Sequence, residues 1–226
     1  MVVKNKDFVE IDYTGKLADG TVFDTTEEKI AKGNGLFSPQ AKYKPATICV
    51  GERQILPGLD DELVGKEIDK EYNITLPPEK AFGKRDIKNL KIVPMPTFKQ
   101  HQIDPRPGLQ VDIDGKIGII TRVSGGRVMV NFNHPLAGKE VKYTFKINRK
   151  IENDTEKVAS FLSSLLKIPE DKITVEVKEN KAVVKIPAEL PVQITNIFMQ
   201  KLLELTTLKE VLFESSLQEK TEEKKA

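Results

Sequence analysis

Residues 8–24 read FVEIDYTGKLADGTVFD. Val9, Ile11 and Tyr13 alternate with Glu10, Asp12 and Thr14, the period-two pattern of a strand with two different faces. Ala18-Asp19-Gly20 supplies a turn, because Asp and Gly tolerate positive φ. Thr21 to Asp24 then returns as a second strand. The hairpin carries one phenol, Tyr13, one ring, Phe23, and one carboxylate, Asp24. Taken alone it is equally an ordinary amphipathic hairpin, so its meaning depends on what surrounds it.

Working outward, Thr47 to Val50 is a short strand, and Pro57 suits the first position of a helix, where its missing N–H costs nothing. That helix reads PGLDDELVG, with Leu59 and Leu63 as its buried stripe, acids near its positive end and Gly65 as the exit. Glu67 to Leu76 returns as a strand. Residues 1–83 thus read as strands with one helix, and Lys29 to Tyr43 as a mobile surface loop.

In order, YTG at 13–15, DGTVFD at 19–24, VGERQILPGLDDELVG at 50–65, LPPEKAFG at 76–83 and VKYTF at 141–145 together resemble the FKBP-type peptidyl-prolyl cis-trans isomerases. The long stretch between Gly83 and Val141, together with NHPLAGKEVKYTF at 133–145, resembles the SlyD-like long form, of archaeal type, with a domain inserted in the flap and an extra C-terminal domain. The resemblance implies an α+β fold: an FKBP-type antiparallel half-barrel with a helix, a small mainly-β insert, and a C-terminal αββα domain. The expected boundaries are 1–84 with 138–150 for the discontinuous FKBP domain, 85–137 for the insert and 151–226 for the C-terminal domain.

The resemblance also implies a catalytic set. Tyr13 is the hydroxyl that meets a ligand carbonyl, Phe23 and Phe82 are ring walls, and Asp24 is the carboxylate at the pocket edge, ordering Tyr13 or the turn. Ile55 and Leu56 give a backbone N–H and an apolar wall, Leu59 is the floor, and Tyr143 is the last aromatic wall. Tyr143 stands where Phe is usual. Three departures from the family pattern matter: Ala46 stands where relatives often have a ring, Leu59 where many have Trp, and Phe82 where many have a Tyr hydroxyl. A roomier, less polar pocket follows. The implied function is isomerisation of X–Pro bonds in unfolded or nascent polypeptides, with chaperone activity. The alternative is a binding-only chaperone on the same scaffold.

Within the insert, Asp114-Gly115 and Gly125-Gly126 mark turns between three short strands over 109–133. Ile92, Val93, Met95, Pro96 and Phe98 are candidates to grip unfolded clients. They are equally candidates for the small core such a domain needs. In the C-terminal region, Asp154 or Thr155 is expected to cap a helix bearing Val158, Phe161, Leu162 and Leu165. A hairpin follows around Glu179-Asn180, and Pro191 opens a long helix with Ile194, Ile197, Phe198, Leu202, Leu205, Leu208 and Leu212 at helical spacing. Two readings of that stripe stand: it is covered within the domain, or part of it faces a second copy in a homodimer. The polar tail, 215–226, is expected to fray.

Composition narrows the remaining classes. Lys+Arg 36 against Asp+Glu 34 gives no basic footprint, so nucleic acid is not an expected partner. No apolar run reaches membrane-spanning length, and MVVKNKDFVE does not read as a signal peptide. Cys49 is the only cysteine, which excludes an intramolecular disulfide and suits the reducing cytoplasm. His101 and His134 lack neighbours at ligand spacing, and residues 214–226 contain no His or Cys. No metal and no cofactor are therefore expected.

Overall fold

The computed structural model describes residues 1–215; the expectation for the tail, Ser215 apart, lies outside the described residues. In chain order the first elements are β1 (Phe8–Leu17), β2 (Val22–Thr25), α1 (Glu28–Gly33), β3 (Ala46–Cys49), α2 (Pro57–Leu63) and β4 (Glu71–Leu76). Next come β5 (Leu90–Pro94), α3 (Met95–Gln100), β6 (Gln110–Ile113), β7 (Lys116–Ser124) and β8 (Arg127–Asn131). Last are β9 (Val141–Ile151), α4 (Asp154–Leu166), β10 (Thr174–Lys178), β11 (Lys181–Ile186), α5 (Val192–Leu205) and β12 (Glu210–Ser215). Two compact units result. One joins Met1–Thr75 to the described residues from Lys142 onward, and the other is Leu76–Val141.

The first unit is α+β and is built on an antiparallel half-barrel sheet. Its strand order is β2-β1-β9-β4, with β3 paired to β1 beside β2. The turn of the first hairpin closes through the Gly20 N–H on the Leu17 carbonyl at 2.9 Å, with Gly20 at φ 88°. Ile11, Leu59, Leu63, Phe145 and Ile147 are buried, so the apolar alternation of β1 and β9 and the stripe of α2 are turned away from solvent. Pro57 occupies the first turn of α2, as its missing N–H predicts. Asp60 is buried and accepts the backbone N–H groups of Gly51 and Arg53, both at 2.9 Å. It thereby fixes the loop that carries Ile55.

The C-terminal elements share this unit. Phe8 and Cys49 belong to the same apolar cluster as Ile151, Val158, Phe161 and Leu162. The Phe8 and Phe161 rings meet edge to face at 6.4 Å. The sheet order here is β10-β11-β12. The expected hairpin is β10–β11, turned at Glu179 and Asn180, both with positive φ.

Three local expectations need correction. The cap of α4 is Asn153, whose Oδ1 accepts from Thr155 N at 2.8 Å and Glu156 N at 3.3 Å. Asp154 is instead committed to Lys157 and Thr207. The helix opened by Pro191 stops at Leu205. There the Thr206 hydroxyl bonds back to the Leu202 carbonyl at 2.6 Å, and Thr207 is held by Asp154. Leu208 therefore follows the helix, and Leu212 lies on β12, a strand parallel to β11 that extends the αββα order by one element. Finally, residues 29–43 are not all loop. The short α1 buries Ala31 and carries a Glu28–Lys32 pair at 2.6 Å. Beyond it, the Tyr43 hydroxyl accepts from Ser38 N at 3.0 Å and donates to the Leu36 carbonyl at 3.1 Å, and the Phe37 and Tyr43 rings stack at 5.7 Å.

The second unit is a four-stranded sheet of order β5-β8-β7-β6 with α3. Both expected turns are present, with Asp114, Gly115, Gly125 and Gly126 all at positive φ. Phe98, Val111, Ile120, Val128 and Val130 form its core.

Candidate functional site

The hairpin register shapes the site. Gly15 faces Asp24 while Lys16 faces Val22, so Phe23 is an extra residue on its strand. A bulge of this kind re-aims a side chain. The Phe23 ring lies across the place where Gly15 lacks a side chain: a Cβ there would stand 2.7 Å from Phe23 Cζ and 3.0 Å from Tyr143 Cε1. Phe23 meets Tyr143 edge to face at 5.8 Å, and Tyr13 meets Tyr143 at 6.0 Å. The three rings thus form one cluster, with Tyr143 behind, only 3% exposed.

The backbone of Tyr13 is pinned. Its N–H donates to Thr26 Oγ1 at 3.0 Å, and Thr26 Oγ1 donates to Asp12 Oδ1 at 2.8 Å. Asn148 of β9 donates to the other Asp12 oxygen at 2.8 Å. Asp12 therefore ties together β1, β9 and the chain after β2.

At the other end of the side chain, the Tyr13 hydroxyl hydrogen-bonds the Asp24 carboxylate. Burial among the rings raises the Tyr13 phenol above its ordinary range, and the nearby Asp24 charge raises it further. Tyr143 is raised for the same reasons. The Asp24 carboxyl also sits above its ordinary value, because removal from water outweighs the opposing hydrogen bonds from Tyr13 and the Thr25 backbone. Both phenols thus stay protonated at neutral pH.

A cavity of about 550 Å³ opens on this cluster, lined by Tyr13, Phe23, Asp24 and Ile55 together with Ala46, Thr47 and Ile48. Leu56 precedes α2 and is half-buried, while Leu59 is buried in the core. Phe82 belongs to the second unit, where its ring stacks on His134 at 4.6 Å.

The sequence-predicted client residues divide. Phe98 is 3% exposed at the centre of the insert's core, and Val93 and Met95 pack against it. Pro96 is exposed, and Ile92 is 60% exposed. Ile92 pairs with Met129, and the flanking pair is Leu90 with Asn131. Ile117 and Ile119 lie on β7 with their side chains out of the core, and both are exposed. One sheet face therefore carries Leu90, Ile92, Ile117 and Ile119 to solvent, and only Ile92 of these was anticipated. The signal was present in KIGIITRV: apolar residues at both parities of one strand leave one set outside a single-sided core.

Cys49 is fully buried and its thiol is pushed up to about 12 by burial, with neighbouring carboxylates adding to the effect. Among the described residues no group of three or more His, Cys, Asp or Glu is arranged to hold a metal ion. No helix among them is long and apolar enough to cross a membrane.

A half-barrel sheet with a cavity at its first hairpin, edged by a ring, a phenol and a carboxylate, defines a structural class. Comparison with known proteins gives that class its family. The family model for FKBP-type peptidyl-prolyl cis-trans isomerase matches residues 1–99, and the model described as FKBP26, IF domain matches residues 91–136. A short-type peptidyl-prolyl cis-trans isomerase of Methanocaldococcus jannaschii is 34% identical over 146 residues, 65% of this chain and 92% of that one. An FKBP-type 16 kDa peptidyl-prolyl cis-trans isomerase of Escherichia coli is 28% identical over 158 residues, 64% of this chain and 91% of its own. The SlyD isomerase of Haemophilus influenzae is 27% identical over 163 residues, 70% and 78% of the two chains. The chain belongs to the FKBP-type peptidyl-prolyl cis-trans isomerase family.

Proposed function

We propose that this protein accelerates cis–trans isomerisation of X–Pro bonds in unfolded client chains, and that the cup of Tyr13, Phe23, Asp24, Ile55 and Tyr143 is where it does so. The observation that carries the reading is one cavity edged by the Tyr13 ring of β1, the Phe23 ring of β2 and the hydrogen-bonded Asp24 carboxylate, with the buried Tyr143 ring of β9 packed behind both rings. Turning the amide breaks its resonance, against a barrier of about 18–20 kcal/mol. A thousandfold acceleration needs only about 4 kcal/mol of transition-state preference. The twisted amide has lost charge separation, so a ring-lined cup that excludes water favours it over the planar form. The Tyr13 hydroxyl carries one proton, which it shares with Asp24 in this structure. On client binding that proton turns to a client carbonyl, with Asp24 as the positioning group. By family resemblance Leu56 and Leu59 complete the apolar surround within this unit. The test is an X–Pro peptide isomerisation assay. Wild type should be active and Phe23→Ala and Asp24→Ala each slower; unchanged rates in both variants remove the cup from the mechanism.

Client holding by the insert is the second part of this reading, supported by the apolar sheet face at Leu90, Ile92, Ile117 and Ile119. Phe98 contributes as core rather than as contact surface. The domain division follows the same lines, with the insert as a functional module and the C-terminal region as the assembly module. A homodimer through α5 fits its exposed apolar residues Val192 and Ile197, the latter 59% exposed. Because Phe8 and Cys49 share the C-terminal core, truncation would expose that core. Ile197→Glu in the full chain is the cleaner test of assembly, read by sedimentation. A reducing, cytoplasmic setting suits the buried Cys49 thiol.

A further inference from the structure

The cavity at the rings does not end with the FKBP core. It is also lined by Ser160, Ser163 and Ser164 of α4 and by Glu170 of the turn that follows. A second cavity of about 510 Å³ shares Lys42, Lys44, Ser163 and Glu170 with the first and adds Pro169 and Asp171. Together they form a track that leaves the aromatic cup and runs between residues 42–44 and the C-terminal region. Two ion pairs bridge its walls. Lys42 pairs with Asp171 and Lys44 with Glu170, both at 2.8 Å. The Ser163 hydroxyl donates to the Ile168 carbonyl at 2.7 Å, bracing the end of α4.

The chemistry changes along the way. The cup is rings and aliphatic carbons; the track is hydroxyls, ammonium groups and carboxylates. Where the first cavity begins, Gln54 lines the wall with its Oε1 accepting from Cys49 N at 2.7 Å. Its Nε2 is buried without a hydrogen-bond partner among the described residues. A buried donor left unmatched is costly, and a turn of the Gln54 side chain toward the cavity it lines would let an arriving carbonyl satisfy it.

We propose that α4 and the 169–172 turn form a binding track for the polar, extended stretch of client chain adjoining the proline, so that the C-terminal region helps decide which X–Pro sites are accepted. This rests on the cup being the prolyl site. A client segment reaches the track only if it continues beyond the residues that fill the cup, and main-chain groups and polar side chains are what its lining can match. Short peptides should therefore be blind to changes that long ones feel.

The experiment compares kcat/KM for a tetrapeptide and for a ten-residue polar peptide sharing the same X–Pro core, in wild type, Ser164→Tyr and Phe23→Ala. The expected result for Ser164→Tyr is a fall of at least fivefold in the long-to-short ratio, carried by KM. An unchanged ratio overturns the track. Phe23→Ala should lower both substrates together; if it lowers neither, the prolyl site itself has been misassigned, a different failure. Amide chemical-shift mapping on the wild-type chain gives an answer independent of how Ser164→Tyr folds. The long peptide should shift residues 42–47 and 160–171, and the tetrapeptide should leave 160–171 unmoved. Shifts confined to the cup with both peptides overturn the proposal.

Discussion

Gly15→Ala puts the smallest possible side chain into the ring cluster. Gly15 is not at positive φ, so the backbone accepts alanine and the effect is steric. The new Cβ would stand 2.7 and 2.9 Å from Phe23 Cζ and Cε2 and 3.0 Å from Tyr143 Cε1. Carbon atoms pack at about 3.5–4.0 Å, so one ring must move by most of an ångström. Tyr143 is buried and cannot retreat; Phe23 lines the cavity and swings into it. Overpacking of this kind costs about 1–3 kcal/mol. If a comparable part of the transition-state preference is lost with the ring's position, kcat/KM falls about tenfold or more. Gly20→Ala is the control. Gly20 has φ 88°, and a Cβ added there would meet nothing within 4 Å, so alanine strains the turn by about 1–2 kcal/mol without touching a ring. The assays are thermal unfolding and X–Pro peptide isomerisation. The expected pattern is a stability loss in both variants and an activity loss confined to Gly15→Ala. Full activity in Gly15→Ala, or equal activity losses in the two, refutes the argument.

Asp24 makes a pH-dependent prediction. Its carboxyl is raised in the folded chain, so its contribution to stability is complete below the unfolded value of about 3.9 and is lost as pH rises through the folded value. Asp24→Asn should therefore gain in Tm relative to wild type on going from pH 3 to pH 7 while isomerisation slows; a pH-independent difference would contradict the burial argument. Phe98→Ala should cost the insert about 3–5 kcal/mol, seen as fast hydrogen exchange within residues 90–131. Ile92→Glu, at an exposed position, should change stability by no more than about 0.5 kcal/mol yet weaken suppression of client aggregation. With its thiol pushed up to about 12, Cys49 should react with a thiol reagent at pH 8 only as fast as the protein opens; rapid stoichiometric labelling of the native chain would contradict its burial.

What could be read from the sequence was whatever local chemistry dictates. Asp19-Gly20, Asp114-Gly115 and Gly125-Gly126 announce their turns because few residues tolerate positive φ, and Pro57 announces the start of α2. Features that depend on distant partners were not legible. The bulge at Phe23 is one extra residue with no signature of its own. The end of α5 was hidden because Leu208 and Leu212 continue the helical period, while what stops the helix is Thr207 captured by Asp154, fifty-three residues earlier in the chain. The cap fell to Asn153 for the same reason: Asp154 had a tertiary partner to satisfy. Ser160, Ser163 and Ser164 read as an unremarked polar face of a helix. Only the packing of α4 on β3 brings them to the cavity.

The most direct test of the central claim is to see where a client's proline goes. In a sample of the full chain with a proline-containing peptide under cis–trans exchange, intermolecular nuclear Overhauser effects from the prolyl ring protons should reach the aromatic protons of Tyr13 and Phe23. Prolyl contacts found only elsewhere on the protein, with exchange still accelerated, would contradict it.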